Sequence, residues 1–230
     1  MKYKVVLFDL DHTLWDYEKN SEETLLELYH NNNLNALCGF SFQQFHSRFH
    51  KINHSLWKQY DHGLIDRDTI RHERFNRIFR HFKISNADLA MAIAEQYLQL
   101  CPTKTNLFPH THNVLQYLKS KYRLYILTNG FDDVQEIKLN RSKLSSYFSG
   151  MITSETIGHR KPSREIFEHA VSLAGSRPEC TIMIGDNLNA DILGAQNASI
   201  DAVYFNPLQK AHKGKPNQEI SCLSQLMNIL

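Results

Sequence analysis

Three features that mark other classes of protein are missing from this 230-residue sequence. No apolar run approaches the roughly 18 residues of a membrane span, and the N-terminal apolar run is already interrupted by Asp9. The four cysteines are scattered and form no CxxC pair, so the sequence indicates neither a zinc site nor a disulfide framework. The net charge is only +2, without a block of like charge, which argues against a nucleic-acid polymer as partner. We therefore expect a cytoplasmic protein with reduced thiols and no membrane contact.

What is present is typical of a folded globular chain. The apolar fraction is 42% and the charged fraction 22%, and the length fits one domain, or one domain with an insertion. Four short runs rich in β-branched and aromatic residues predict buried strands, and helical patterns separate the last three of them. They lie at 4–10, 123–130, 180–187 and 201–206. This alternation predicts an α/β fold with a parallel sheet and helices on both faces.

The stretch between the first two strands differs from the rest. From about residue 20 to 101 it contains helical patterns and no convincing strand. Four polar residues precede these patterns as predicted helix caps, two of them in capping boxes with Glu23 and Gln44. They are Asn20, Ser41, Asp66 and Ser85. We expect an all-helical domain inserted after the first strand.

Polar side chains follow three of the predicted strands, where parallel sheets bind their ligands. The first strand is followed by Asp9, Asp11 and Thr13, the second by Thr128, Asn129 and Gly130, and the third by Gly185, Asp186, Asn187 and then Asp191. Each of these short patterns alone is common in surface turns, and only their joint order indicates a site. Converging carboxylates need a cation, and oxygen ligands favour Mg²⁺.

The same residues indicate a reaction. Asp9 can act as a nucleophile, and Asp11, on the same side of an extended chain, as general acid and base. Thr128 and the backbone N–H groups of Asn129 and Gly130 can hold phosphoryl oxygens. Lys161 adds a positive charge on a loop just before a predicted helix, where anions are also favoured.

The motifs DLDHT, TNG, RKP and GDNLNAD resemble, in order and spacing, the four motifs of the haloacid dehalogenase-like (HAD) hydrolases. The resemblance covers essentially the whole chain. It implies a Rossmann-like core formed by residues 1–15 and 103–230, with a helical C1-type cap at 16–102. It also implies that Asp9 becomes phosphorylated, and that Asp9, the backbone carbonyl of Asp11 and the carboxylate of Asp186 hold Mg²⁺.

Other positions follow from the same resemblance. Thr128 and Lys161 resemble the pair that holds the phosphate. Asp191 would orient Lys161 or a metal-bound water, and Thr13 would lie beside the metal ligands without binding the ion itself. These assignments imply an enzyme that hydrolyses phosphomonoesters through an aspartyl-phosphate, with a small phosphate ester as its partner.

Longer stretches of the sequence are similar to the pyrimidine 5′-nucleotidase subfamily of these hydrolases. They are SLWKQYDHGLIDRDTIRHERF, TNGFDDVQEIKLNRSKLSSYF and HRKPSREIFEHAV. The similarity implies a nucleoside 5′-monophosphate as substrate. Asn53, Trp57 and Tyr60 could face the base or sugar, although packing within the cap explains two large rings at helical spacing equally well.

Several alternatives stay open. A sugar-phosphate phosphatase or a phosphomutase would carry the same motifs, whereas a non-catalytic binding protein would be expected to have lost at least one of the aspartates. A haloacid dehalogenase would lack Asp11. The sequence leaves the choice between monomer and homodimer open.

The 13 histidines are the unusual part of the composition. His46, His50 and His54 recur every four residues and would share one face of a helix, as metal-binding pairs do. They lie in the predicted cap, far along the chain from every carboxylate of the predicted site. We therefore interpret them as a solvated face and expect the metal at the aspartates instead.

Overall fold

The structure is a computed structural model that describes residues 2–230. The chain folds into two compact units. The core unit comprises Met1–Tyr17 and Thr105–Leu230, and the helical unit comprises Glu18–Lys104. Among the described residues, no helix is both long and apolar enough to cross a membrane.

The core unit contains one sheet of six parallel strands in the order β3-β2-β1-β4-β5-β6. The strands are β1 (Val5–Phe8), β2 (Arg123–Thr128), β3 (Gly150–Thr153), β4 (Thr181–Gly185), β5 (Asp201–Phe205) and β6 (Gln218–Ile220). The central strand β1 is buried along its whole length, as expected for an apolar strand covered on both faces. The α/β prediction with a parallel sheet is confirmed, and all four predicted strands are present.

The pattern did not predict the strands β3 and β6. They have only four and three residues, and β3 begins at Gly150, a residue type that is depleted in strands. β6 lies at one edge of the sheet with two of its three residues exposed. Neither strand has an apolar run long enough to be recognised without its neighbour.

The core unit also contains helices that lie between and after the strands along the chain. They are α6 (Thr111–Lys119), α7 (Asp132–Arg141), α8 (Ser154–Ile157), α9 (Arg164–Leu173), α10 (Gly194–Asn197) and α11 (Leu226–Ile229). Alternate residues of β1 share one packed cluster with α9, because successive side chains of a strand point to opposite faces. This cluster includes Val5 and Leu7 together with Ile166, Phe167 and Ala170, all completely buried. The packing fixes the sheet and therefore the ends of its strands.

The helical unit consists of α1 (Tyr17–Asn31, with Tyr17 counted in the core unit), α2 (Leu34–Cys38), α3 (Phe42–Asp61), α4 (Arg67–His81) and α5 (Ala87–Leu100). Ser41 forms the predicted capping box with Gln44, and Asp66 caps α4 by accepting from the N–H of Thr69. Two predicted caps are wrong. Asn20 is buried inside α1, which begins three residues earlier, and α5 is capped by Asn86 rather than Ser85. In both cases the polar pattern gave the helix but misplaced its first residue.

Candidate active site

The three predicted strand ends lie side by side, because β1 is flanked by β2 and β4. Phe8 is in register with Ile126 on one side and with Ile184 on the other. The next residue, Asp9, donates its backbone N–H to the carbonyl of Ile184 at 2.9 Å. The Asp9 carboxylate is therefore held at the carboxyl edge of the sheet and is largely buried.

Lys161 is buried at the centre of this edge. Its Nζ donates to Oδ1 of Asp9 and Oδ1 of Asp191, both at 2.6 Å, and to the carbonyl oxygen of Leu127 at 2.8 Å. Only 2% of the side chain is exposed. The three donors of the ammonium group are thus all used, and one cation links two of the predicted carboxylates.

The side chain of Asn129 holds the backbone of Lys161 in place. Its Oδ1 accepts from the Lys161 N–H at 2.8 Å, and its Nδ2 donates to the Lys161 carbonyl at 3.0 Å. The sequence pattern predicted only the backbone N–H of Asn129 as a functional group. The amide side chain ties the TNG loop after β2 to the loop that carries the lysine.

Asp191 approaches the backbone of Gly185 so closely that only glycine fits there. The aspartate lies on a π-helical turn at Leu188–Leu193, and its Oδ2 accepts from the N–H of Asn187 at 3.0 Å. A Cβ atom at position 185 would lie 2.3 Å from Asp191 Oδ2. The glycine of GDNLNAD is therefore required by the position of the second aspartate in that motif.

Asp9, Asp186 and Asp191 form a cluster that could hold a metal ion. Each contributes one carboxylate oxygen, and these oxygens all lie within 4.8 Å of one another. The hydroxyl of Thr13, which is fully buried, donates to Oδ1 of Asp186 at 3.2 Å. A set of oxygen donors only suits a hard divalent cation such as Mg²⁺.

The electrostatics of the cluster show an excess of negative charge. Burial raises the pKa of Asp9 from 3.8 to about 8, and the charges of Asp191 and Asp186 add to this effect against the opposing charge of Lys161. Burial and the charge of Asp191 likewise raise the pKa of Asp186 to about 7. Burial by itself would lower the pKa of Lys161, but the charges of Asp191 and Asp9 outweigh it and the pKa is raised. One ammonium group does not balance three carboxylates, so the residues fit a bound cation.

The hydroxyl of Thr128 accepts two hydrogen bonds and still has its own proton to donate. Its Oγ1 accepts from the N–H of Gly130 at 3.0 Å and from Nε2 of Gln135 at 2.8 Å. In the described part of the chain no acceptor takes its own O–H proton. This arrangement leaves a buried hydroxyl donor beside the site, whereas the Gly130 N–H is already used within the turn.

Asp11 is held by two residues of α7 that the sequence pattern did not single out. Nζ of Lys138 donates to its Oδ1 at 2.6 Å and its Oδ2 at 2.9 Å, and Nε2 of Gln135 donates to Oδ2 at 2.8 Å. Burial would raise the pKa of Asp11, but the Lys138 charge and the hydrogen bonds from Lys138 and Gln135 outweigh it and lower that pKa. A polar pair three residues apart on the first helix after the TNG loop is the signal that could have identified them.

The remaining predicted residues lie on α3 of the helical unit. Asn53 and Tyr60 are buried, and the half-buried Trp57 contacts the Tyr60 ring edge-on with the ring centroids 5.5 Å apart. On the same helix, Nε2 of His46 lies 2.9 Å from Nε2 of His50.

Residues 3–199 match the model of the family described as haloacid dehalogenase-like hydrolase. The chain belongs to this family of hydrolases. The resemblance in the four motifs is thereby confirmed over most of the chain.

Two relatives of this HAD hydrolase share the name pyrimidine 5′-nucleotidase. The pyrimidine 5′-nucleotidase PynA of Streptococcus pneumoniae is 31% identical, over all of this chain and 96% of its own length. The pyrimidine 5′-nucleotidase YjjG of Escherichia coli is 27% identical, over all of this chain and 99% of its own. This HAD hydrolase is therefore an enzyme of the phosphatase type.

A solved structure also matches along the entire chain. The HAD-hydrolase YfnB of Bacillus subtilis superposes with a TM-score of 0.89 at 27% identity, covering all of this chain and 99% of YfnB. That crystal structure is described as bound to magnesium and as revealing interdomain movement. The match confirms the HAD fold for this hydrolase.

Proposed function

We propose that this HAD hydrolase is a Mg²⁺-dependent phosphatase that acts through an aspartyl-phosphate and prefers pyrimidine nucleoside 5′-monophosphates. The observation that carries the reaction is the arrangement around Asp9, a buried carboxylate 2.6 Å from the Lys161 ammonium and two residues from a second carboxylate, Asp11. This arrangement supplies a nucleophile, a charge for the phosphate and a proton carrier at one end of a single strand.

In the first step, a carboxylate oxygen of Asp9 attacks phosphorus and the bond from phosphorus to the ester oxygen breaks. Asp11, which is ionised in the structure because Lys138 and Gln135 lower its pKa, takes up a proton before this step and gives it to the leaving oxygen, so that an alcohol departs. In the second step, Asp11 takes a proton from water, and the resulting hydroxide attacks the phosphorus of the aspartyl-phosphate. Inorganic phosphate leaves and the Asp9 carboxylate is regenerated.

In this proposal Thr128 donates a hydrogen bond to a phosphoryl oxygen, and Lys161, whose three donors are used within the protein, contributes its positive charge. The Lys161 ammonium is adjacent to the attacking Asp9 oxygen, and the Thr128 hydroxyl retains a donor. Fixed donors that meet developing charge in a buried site stabilise the transition state more than they would in water. Asp191 accepts a hydrogen bond from Lys161 and acts by holding that ammonium group in place.

Mg²⁺ would be held by the carboxylates of Asp9 and Asp186, with Thr13 fixing Asp186, and, as the family resemblance implies, by the backbone carbonyl of Asp11. When bound, the ion would neutralise the carboxylates and the negative charge of the phosphoryl group. The raised pKa values of Asp9 and Asp186 support this assignment, because they report buried carboxyl groups that lack positive charge.

The preference for pyrimidine nucleotides is supported by full-length similarity to two pyrimidine 5′-nucleotidases. In this proposal residues 16–102 form the cap that selects the substrate, and residues 1–15 and 103–230 form the catalytic core. Asn53, Trp57 and Tyr60 of α3 are then candidates for recognition of the base or sugar.

A panel of phosphate esters tests both parts of the proposal. Hydrolysis of UMP, dUMP, dTMP, several sugar phosphates and p-nitrophenyl phosphate is measured with Mg²⁺ and with EDTA. We expect turnover only with Mg²⁺ and the highest kcat/KM for a pyrimidine nucleotide. A higher kcat/KM for a sugar phosphate would overturn the substrate assignment, and no turnover of any ester would overturn the phosphatase assignment.

A further inference from the structure

Asp11 accepts more hydrogen bonds from the protein than a solvent-accessible acid and base would need. Both of its carboxylate oxygens accept hydrogen bonds, three in all, from Lys138 and Gln135. The two donors come from successive turns of one helix, so α7 presents them together on the face that meets Asp11. A carboxylate that accepts hydrogen bonds at both oxygens has a fixed orientation.

The two donor side chains are themselves fixed. Gln135 is fully buried and the Lys138 side chain is only 6% exposed. The Lys138 ammonium lies 4.5 Å from the ring centroid of the buried Trp15, which adds a cation–π contact. A Cβ atom at position 130 would lie 2.1 Å from Nε2 of Gln135, so Gly130 leaves the space in which the amide sits.

Gln135 also leaves one of its own polar atoms unsatisfied. Its Oε1 is buried and has no hydrogen-bond partner among the described residues. Turning the amide over would place that oxygen against the Asp11 carboxylate, which can only accept when it is ionised. The fold therefore tolerates an unpaired acceptor in order to direct the amide donor at Asp11 and Thr128.

We propose that Lys138 and Gln135 are positioning residues that orient the Asp11 carboxylate for its part in phosphoester hydrolysis. This inference rests on the proposed function and deepens it. Gln135 connects Asp11 to Thr128. One amide therefore holds both the proton carrier and the hydroxyl that would donate a hydrogen bond to the phosphate. Neither residue needs to touch the substrate for this role.

A double-mutant cycle with Asp11 separates positioning from a general structural contribution. The kcat and KM for p-nitrophenyl phosphate are measured for Lys138→Met and Gln135→Met, each with Asp11 intact and in Asp11→Asn. This ester is chosen because its leaving group needs no proton, which keeps the slow Asp11→Asn background measurable. We expect Lys138→Met to lower kcat about tenfold with Asp11 intact and less than about twofold in Asp11→Asn, with KM nearly unchanged.

Gln135→Met should lower kcat by about threefold with Asp11 intact and by less in Asp11→Asn. This variant keeps the test available if Lys138→Met does not fold. Arg141→Met is the matched control, because it removes an exposed positive charge from the same helix, and its kcat should stay within about twofold of wild type. Equal losses in both Asp11 backgrounds, or no loss at all, would overturn the positioning role while wild type remains active. An inactive wild type would instead overturn the proposed function, and this inference with it.

Discussion

Each unit of the chain buries a cation, and the two are held in different ways. In the core unit Lys161 donates to two carboxylates and a carbonyl oxygen. In the helical unit the guanidinium carbon of Arg74 lies 5.4 Å and 5.0 Å from the ring centroids of Phe49 and Tyr97. Among the described residues no carboxylate pairs with Arg74, and its buried Nε has no hydrogen-bond partner.

The difference separates charge used for chemistry from charge used for packing. Aromatic faces stabilise a cation without adding a carboxylate, so among the described residues the positive charge of Arg74 is held without a counter-ion. The core site instead gathers more carboxylates than its one ammonium group can neutralise, an arrangement that clusters at functional sites. Substitutions at the core site should therefore affect activity and pH dependence, whereas those around Arg74 should affect stability alone.

The largest expected effect is that of Asp9→Asn. Removing the nucleophile should lower kcat by more than about a thousandfold, because no other group can form the covalent intermediate. The change also removes a buried carboxyl group from the crowded cluster, so the Tm at pH 8 should not fall. Steady-state kinetics and thermal unfolding measure the two effects, and a kcat close to wild type would show that Asp9 is not the nucleophile.

The comparison of the two cations gives the next effect. Lys161→Met leaves two buried carboxylates without their shared cation and should lower the free energy of unfolding by about 3–5 kcal/mol. Arg74→Met, its matched variant in the helical unit, loses only contacts with aromatic rings and should cost less than about 2 kcal/mol. Urea unfolding of both variants at pH 8 tests this order. If Arg74→Met were the more destabilising, ring contacts rather than counter-ions would be the stronger support for a buried cation here.

The smallest expected effect is on the pH dependence of stability. In the folded protein Asp9 and Asp186 keep their protons up to a pH of about 8 and about 7, whereas the unfolded chain releases them near 4. The contribution of these groups is therefore fully present below pH 4 and is lost as pH rises through 7 to 8. Mg²⁺ should raise the Tm by a few degrees at pH 8 and by less at pH 5.5, where protons occupy the same oxygens.

Thermal unfolding across this pH range, with and without Mg²⁺, checks the prediction. Asp186→Asn serves as the control, because it removes one proposed ligand and should abolish most of the Mg²⁺ effect. NaCl at equal ionic strength separates specific binding from screening. A metal-free protein whose Tm rises steadily from pH 5.5 to 8 relative to this control would contradict the electrostatic description of the cluster.

Much of the site could be predicted because it follows strand ends. Asp9, Thr128 and Asp186 each come directly after a buried apolar run, and parallel strands place such residues at one edge. Helix starts were harder to predict. A polar residue followed by glutamate occurs both before a helix and within one, which is why Asn20 was misassigned although α1 itself was not.

The sequence alone determined the α/β class, the helical insertion and the group of residues that meet at the carboxyl edge of the sheet. These features depend on local apolar patterns and on the order of elements along the chain. Only the tertiary structure decided that Asn129 binds the backbone of Lys161 and that Gln135 and Lys138 donate hydrogen bonds to Asp11. Those contacts join residues far apart in sequence, and their partners are set by how a loop and a helix pack on the sheet, which no local pattern encodes.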